Sequence, residues 1–205
     1  MLVVVDYGMG NLRSVAKALE RVGGRPTVSS DPRDVARAEQ LVLPGVGAGP
    51  QAMQELRTRK LVDPIVNHIR ADKPYLGICL GLQLLFDRTE EAGGSEGLKT
   101  LRGTVKKFTS SAALKVPQIG WNRIARAPAA QDCPLFEGIP DGSFFYFVHS
   151  YYAEPLDATV TAATTDYGQA FASAVWRNRL FATQFHPEKS QRAGLKLLEN
   201  FLRCR

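Results

Sequence analysis

Pro74-Tyr75-Leu76-Gly77-Ile78-Cys79-Leu80-Gly81-Leu82-Gln83 is an apolar run that passes through a cysteine flanked by glycines at 77 and 81. Up to Ile78 it suits a strand buried on both faces, and Leu80 to Phe86 reads as a helix. The same alternation precedes it. Leu2 to Val5 is a β-branched, buried-strand run, and Leu12, Val15, Leu19 and Val22 then form one helical stripe that Gly23-Gly24 stops. Pro26 to Ser30 reads as a second strand, Leu41 to Leu43 as a third closed by Pro44, and residues 51–70 as one helical stretch. Strands alternating with helices predict an α/β fold with a central, mostly parallel sheet and flanking helices. The second half reads as strands over residues 102–108, 121–124, 144–152, 159–165, 171–177 and 180–185, an antiparallel or mixed extension. Residues 125–131 read as an exposed loop, and Leu195, Leu198 and Leu202 mark a closing amphipathic helix. Residues 1–205 are expected to form one domain.

Composition bounds the function. The chain is 44% hydrophobic and 22% charged, with 9% aromatic residues, which argues against disorder. Its apolar runs fall short of the roughly 18 residues of a membrane span, and Leu2 to Val5 is too short for a secretory core. A cytoplasmic protein without membrane contact is expected. Cys79, Cys133 and Cys204 form no CxxC pair, and His68, His149 and His186 are scattered, so neither a metal nor another cofactor is expected. The net charge of +6 comes from basic residues spread along the chain, a pattern of a solvated surface rather than a nucleic-acid track.

Gly77-Ile78-Cys79-Leu80-Gly81 has the form of a nucleophile elbow, with cysteine in place of serine. At a strand-to-helix turn the helix amides favour a thiolate, and the Leu80 N–H would point towards a developing oxyanion. A buried structural cysteine is the bland alternative. The base candidate is His186, in Phe185-His186-Pro187-Glu188 at another strand end. With Pro187 holding the backbone extended, Glu188 shares a face with His186 and can orient the ring, which is the logic of a catalytic triad. Pro44-Gly45-Val46-Gly47-Ala48-Gly49-Pro50 lacks the Lys-Ser/Thr of a phosphate loop, and its use would be a second backbone oxyanion donor. Because glycine lets the Gly45–Val46 peptide sit either way, the isolated protein is expected to be nearly silent.

These three elements, in this order, resemble the class I glutamine amidotransferases. The resemblance implies Cys79 as nucleophile, His186 as base and then acid, Glu188 as orienting carboxylate, and the Val46 and Leu80 amides as the oxyanion hole. Within that family, residues 5–12, 116–122, 146–152 and 185–190 are similar to the glutaminase subunits of imidazole glycerol phosphate synthases. That similarity implies L-glutamine as substrate, with Gly47, Gln83, Glu91, Ser150 and Tyr151 around it. It also implies a heterodimer with a (β/α)8-barrel cyclase subunit that receives ammonia, met by Trp121, Tyr146 and Lys189. His149 is left structural, and Trp121 and Tyr146 can equally be core aromatics. The sequence departs from the subunit pattern at Gly49, where a bulky residue is expected, and at Gln118-Ile119, where His-Met is frequent. Three alternatives stay open: the glutaminase of another synthase, a non-catalytic binding module, and a cysteine hydrolase.

Overall fold

The computed structural model describes residues 1–110 and 114–204. Its first part alternates as expected: β1 (Leu2–Val5), α1 (Leu12–Arg21), β2 (Pro26–Ser29), α2 (Pro32–Arg37), β3 (Gln40–Gly45), α3 (Gly49–Thr58), α4 (Val62–Arg70), β4 (Tyr75–Cys79) and α5 (Leu80–Gln83). Strands β5 (Phe86–Thr89), β6 (Ser95–Glu96), β7 (Leu101–Lys107), β8 (Gln118–Arg123) and β9 (Ala125–Arg126) come next. After them run β10 (Phe144–His149), β11 (Tyr151–Pro155), β12 (Thr161–Asp166), β13 (Ala170–Arg177), β14 (Leu180–Thr183) and the closing helix α6 (Gln191–Arg203).

The centre is a parallel block in the order β2-β1-β3-β4-β14. From β14 the sheet continues antiparallel through β13, β11 and β7, and β5 then joins β7 in parallel. Both faces of the parallel block are covered, which is why β1 is buried at all four positions. Val15 and Leu19 of α1 and Leu197, Leu198 and Phe201 of α6 pack on one face with Val4 and Val42. Val35, Met53, Leu56 and Ile65, from α2, α3 and α4, pack on the other with Val3, Val5 and Leu43. In register, Gly45 of β3 stands beside Cys79 of β4, and Ile78 of β4 beside Thr183 of β14. Three strand ends thus meet at the carboxyl edge, where open α/β sheets form their clefts.

Several expected boundaries are corrected. The stretch 51–70 is two helices, broken where Lys60 adopts φ +56°. The helix expected over 80–86 ends at Gln83, because Leu84 and Leu85 give their carbonyls to Leu98, Thr100 and Leu101 and Phe86 opens a strand. A short apolar run does not distinguish the two outcomes by periodicity. Helix α2 went unread although it carries a start signal, Asp31 accepting from the Arg33 amide at 2.8 Å with Pro32 at the first position. Strand β3 continues through Pro44 to Gly45. The expected strand 144–152 is two strands in different sheets, since among the described residues β10 pairs with β8 in a two-stranded sheet and β11 belongs to the main sheet. Residues 125–131 are not simply an exposed loop: β9 pairs with β12, and Ala130 is buried. Among the described residues no helix is long and apolar enough to cross a membrane.

Candidate active site

Cys79 ends β4 at φ +55° and ψ −106°, a backbone state that side chains rarely adopt. The neighbours explain why it persists. A Cβ on Gly77 would lie 2.6 Å from the Gly81 carbonyl oxygen, and one on Gly81 would overlap the Leu43 carbonyl of β3. Only glycine at both positions lets α5 press against β3 and β4, and that packing forces the turn at Cys79. Since α5 is a single turn, only its first amides remain to favour a negative charge, less than the longer expected helix would supply.

His186 lies three residues beyond β14, and its Nδ1 is 2.8 Å from Oε1 of Glu188. The expected cause was an extended backbone. Instead Pro187–Lys189 forms a 3-10 turn after an extended His186, and this turn folds the carboxylate back to the ring. Both side chains are buried. Burial opposes the charged ring, but interaction with Cys79 and then with Glu188 outweighs it and pushes the His186 pKa up to about 10. With Nδ1 held by Glu188, Nε2 is the ring nitrogen left to serve the thiol. The turn itself is pinned: the His186 N–H donates to the Tyr146 carbonyl at 2.9 Å, and the Ser190 hydroxyl donates to the His186 carbonyl at 2.6 Å.

A cleft of about 430 Å³ opens beside Cys79, lined by Val46, Gly47, Leu80, Gln83, Glu91, Ser150, Tyr151 and Lys189. Every residue expected at the oxyanion hole or around the substrate therefore borders one space. Gly45 is required beneath the loop, since a Cβ there would overlap the Tyr7 hydroxyl and lie 2.8 Å from the Leu80 Cβ. Glu91 is partly engaged, its Oε2 accepting from the Gly49 amide at 2.7 Å at the start of α3. Glycine at 49, where a bulkier residue was expected, thus joins this hydrogen bond through its backbone.

Two residues were not anticipated. Gln184, fully buried, places its Nε2 3.6 Å from the Cys79 sulfur and accepts from Gln83 at 3.0 Å. Its place one step past β14, level with the end of β4, was the available signal. His149, read as structural, forms part of the cleft wall. Its Nδ1 is 2.7 Å from the Tyr151 carbonyl, and burial pulls its pKa down to about 4.

The three residues expected to meet a partner cluster beside the cleft. Strands β8 and β10 form a separate ribbon in which Tyr146 pairs with Trp121 and Phe144 with Arg123. Its outer face carries Ile119, Trp121 and Phe144 at 63%, 46% and 47% exposure, so Trp121 is not a core aromatic. Trp121 meets Tyr146 edge to face at 6.1 Å, and the Lys189 ammonium lies 5.7 Å from the Tyr146 ring centre. Of the departing pair, Ile119 stands on this face and Gln118 is buried opposite His149.

With the elbow, the His–Glu pair and the cleft in one place, comparison with known proteins is direct. The chain belongs to the class-I glutamine amidotransferase family, whose model matches residues 3–204. Within it, the chain is 52% identical to imidazole glycerol phosphate synthase subunit HisH of Syntrophotalea carbinolica, over 98% of each chain. It is 49% identical to the HisH subunit of Dehalococcoides mccartyi, covering 99% of this chain and 97% of that one. Against the HisH subunit of Chlorobium luteolum it is 48% identical over the whole of both chains. The fold is shared with more distant solved structures. Thermotoga maritima PurLQS aligns at a TM-score of 0.75 with 19% identity, over 98% of this chain and 97% of that one. The glutaminase domain of Trypanosoma brucei CTPS aligns at 0.67 with 16% identity, over 100% of this chain and 94% of that one.

Proposed function

We propose that this chain is the glutaminase subunit of imidazole glycerol phosphate synthase, acting as a single amidotransferase domain. It hydrolyses L-glutamine to glutamate and passes the ammonia to a (β/α)8-barrel cyclase subunit in a cytoplasmic heterodimer. There the ammonia is used in a lyase step of histidine biosynthesis that makes imidazole glycerol phosphate and AICAR.

The Cys79 thiol gives its proton to His186 Nε2, and the thiolate attacks the side-chain amide carbon of glutamine. The oxygen becomes an oxyanion opposite the Val46 and Leu80 N–H groups. Collapse breaks the C–N bond, and His186 returns the proton to the departing ammonia. Water, deprotonated by His186, then hydrolyses the glutamyl thioester and restores the thiol. Glu188 keeps the ring in the tautomer that leaves Nε2 towards the sulfur. Gly47, Gln83, Glu91, Ser150 and Tyr151 hold the substrate's amino-acid end. A direct handover keeps ammonia from protonating in bulk water, and Trp121, Tyr146 and Lys189 form the docking face.

The single observation that carries this reading is the elbow cysteine beside a His–Glu pair at 2.8 Å, in a chain about half identical to HisH subunits along its full length. The test is glutamine hydrolysis by the purified chain, alone and with the partner cyclase plus its phosphorylated acceptor. Near silence alone and stimulation by partner and acceptor are expected. Hydrolysis indifferent to the partner would point to another synthase, and none under any condition would point to a binding module.

A further inference from the structure

The amide of Gln184 is oriented by a chain of hydrogen bonds that begins at a group able only to accept. The Tyr151 carbonyl receives a hydrogen bond from Gln83 at 2.9 Å, so the nitrogen of the Gln83 amide faces it. The same nitrogen reaches Gln184 at 3.0 Å and must meet an acceptor, so the oxygen of Gln184 faces Gln83. That leaves the Gln184 nitrogen facing the Cys79 sulfur at 3.6 Å. Gln184 is fully buried, so water does not compete for this N–H.

We propose that Gln184 is a catalytic residue, donating its side-chain N–H to the Cys79 sulfur and favouring the thiolate, in an orientation that Tyr151 sets through Gln83. This rests on the reading of Cys79 as nucleophile. An amide N–H bonds weakly to a neutral thiol and strongly to a thiolate, so its contribution falls mainly on the ionised form. The thiol's own donor contact, to the Val148 carbonyl at 3.9 Å, is too long to hold the proton against it. A stabilised thiolate is also a poorer nucleophile, but nucleophilicity falls only about 0.4–0.5 log unit per pKa unit, less than the thiolate fraction gains at neutral pH. The proton leaving sulfur goes to His186. Two glutamines, Gln184 fully buried and Gln83 half-buried, thereby act on the same sulfur as the His–Glu pair.

The test is the rate of Cys79 alkylation by iodoacetamide from pH 5 to 9 in the full-length chain, with the modified peptide quantified by mass spectrometry. Gln184→Met keeps the side-chain length and removes the donor. Its alkylation midpoint is expected to rise by about one pH unit, which slows the reaction at pH 7 by roughly threefold once the greater nucleophilicity of the more basic thiolate is counted. Gln184→Glu, which keeps the acceptor for Gln83 but sets an oxygen against the sulfur, is expected to shift at least as far. Should methionine prevent folding, Gln83→Met carries the same test: it releases the Gln184 amide to rotate and should give a smaller shift in the same direction. A midpoint unmoved in the folded variants overturns the proposal, since a merely structural role would lower thermal stability and leave the thiol titration where it was. Alkylation needs no glutamine turnover. Failure of the glutaminase reading would therefore show as a wild-type chain that hydrolyses no glutamine even with the cyclase and its acceptor, and failure of this one as an unmoved midpoint in an enzyme that the partner activates.

Discussion

At the end of β4 the backbone has no freedom: Gly77 and Gly81 are pressed against carbonyl oxygens, and Cys79 is held at φ +55° between them. In the β8–β10 ribbon, a short distance along the same cleft, large apolar side chains stand in solvent, with Ile119 at 63% exposure and Trp121 at 46%. The first region is over-determined from within the chain, so it can store an unfavourable conformation. The second leaves apolar surface uncovered, and that surface suits a contact the chain does not itself provide. They meet at His186, whose amide hydrogen-bonds to Tyr146 of the ribbon and whose carbonyl accepts from Ser190. Ser190 also accepts from the Tyr146 amide at 3.0 Å, so ribbon and base are tied through backbone on both sides.

Substitutions can break this contrast. The largest effect is expected from Cys79→Ala, which should lower glutamine hydrolysis by about 10⁴-fold or more, with little change in melting temperature. Hydrolysis persisting in that variant would remove the elbow from the mechanism. Gly81→Ala, by contrast, should act on folding, since its Cβ overlaps backbone that cannot yield. A loss of about 3 kcal/mol or more in urea unfolding is expected. Tolerance of alanine would mean the elbow is less constrained than its contacts require.

The His149 side chain tests the cleft wall through pH. Its folded pKa is about 4 against an ordinary 6.5, so the unfolded chain binds the proton first as pH falls. Stability from this group is intact above 6.5 and is lost towards 4, reaching ~2 kcal/mol by pH 5. In His149→Gln that part of the acid limb should vanish from melting curves taken between pH 7 and 5, and an unchanged limb would discount the burial of His149. On the ribbon, Trp121→Ala should barely change stability or unstimulated hydrolysis, yet weaken cyclase binding by roughly 30-fold by calorimetry. Equal affinity would place the partner elsewhere. Ser190→Ala should be mildest, ~1 kcal/mol in stability with a several-fold drop in stimulated turnover. An unaffected turnover would uncouple the ribbon from the base.

Much of this was legible from residue order. The apolar stripe of Leu12, Val15 and Leu19 and the buried run of Leu2 to Val5 are local patterns with one good structural solution each. The strand-rich second half was harder. Phe144 to Tyr152 is one apolar run in sequence, yet it serves two sheets. Nothing local marks Ser150 as the divide, because the choice depends on β8 and β7 arriving from elsewhere. Likewise, Leu84 and Leu85 form a turn and Phe86 opens β5 where a helix was expected, since partners at Leu98 and Leu101 outcompete a second helical turn.

By itself the sequence determined the alternating α/β architecture, the elbow around Cys79 and the His186–Glu188 pair. Each is a matter of residue type and short spacing. Only the tertiary structure decided that Gln184 faces the sulfur, that His149 lines the cleft, and that Glu188 reaches His186 through a 3-10 turn. It alone decided, too, that Trp121 is exposed rather than buried. Those outcomes depend on which strand ends the sheet brings side by side, and pairing across about a hundred residues is set by the packing of the whole core rather than by any local stretch.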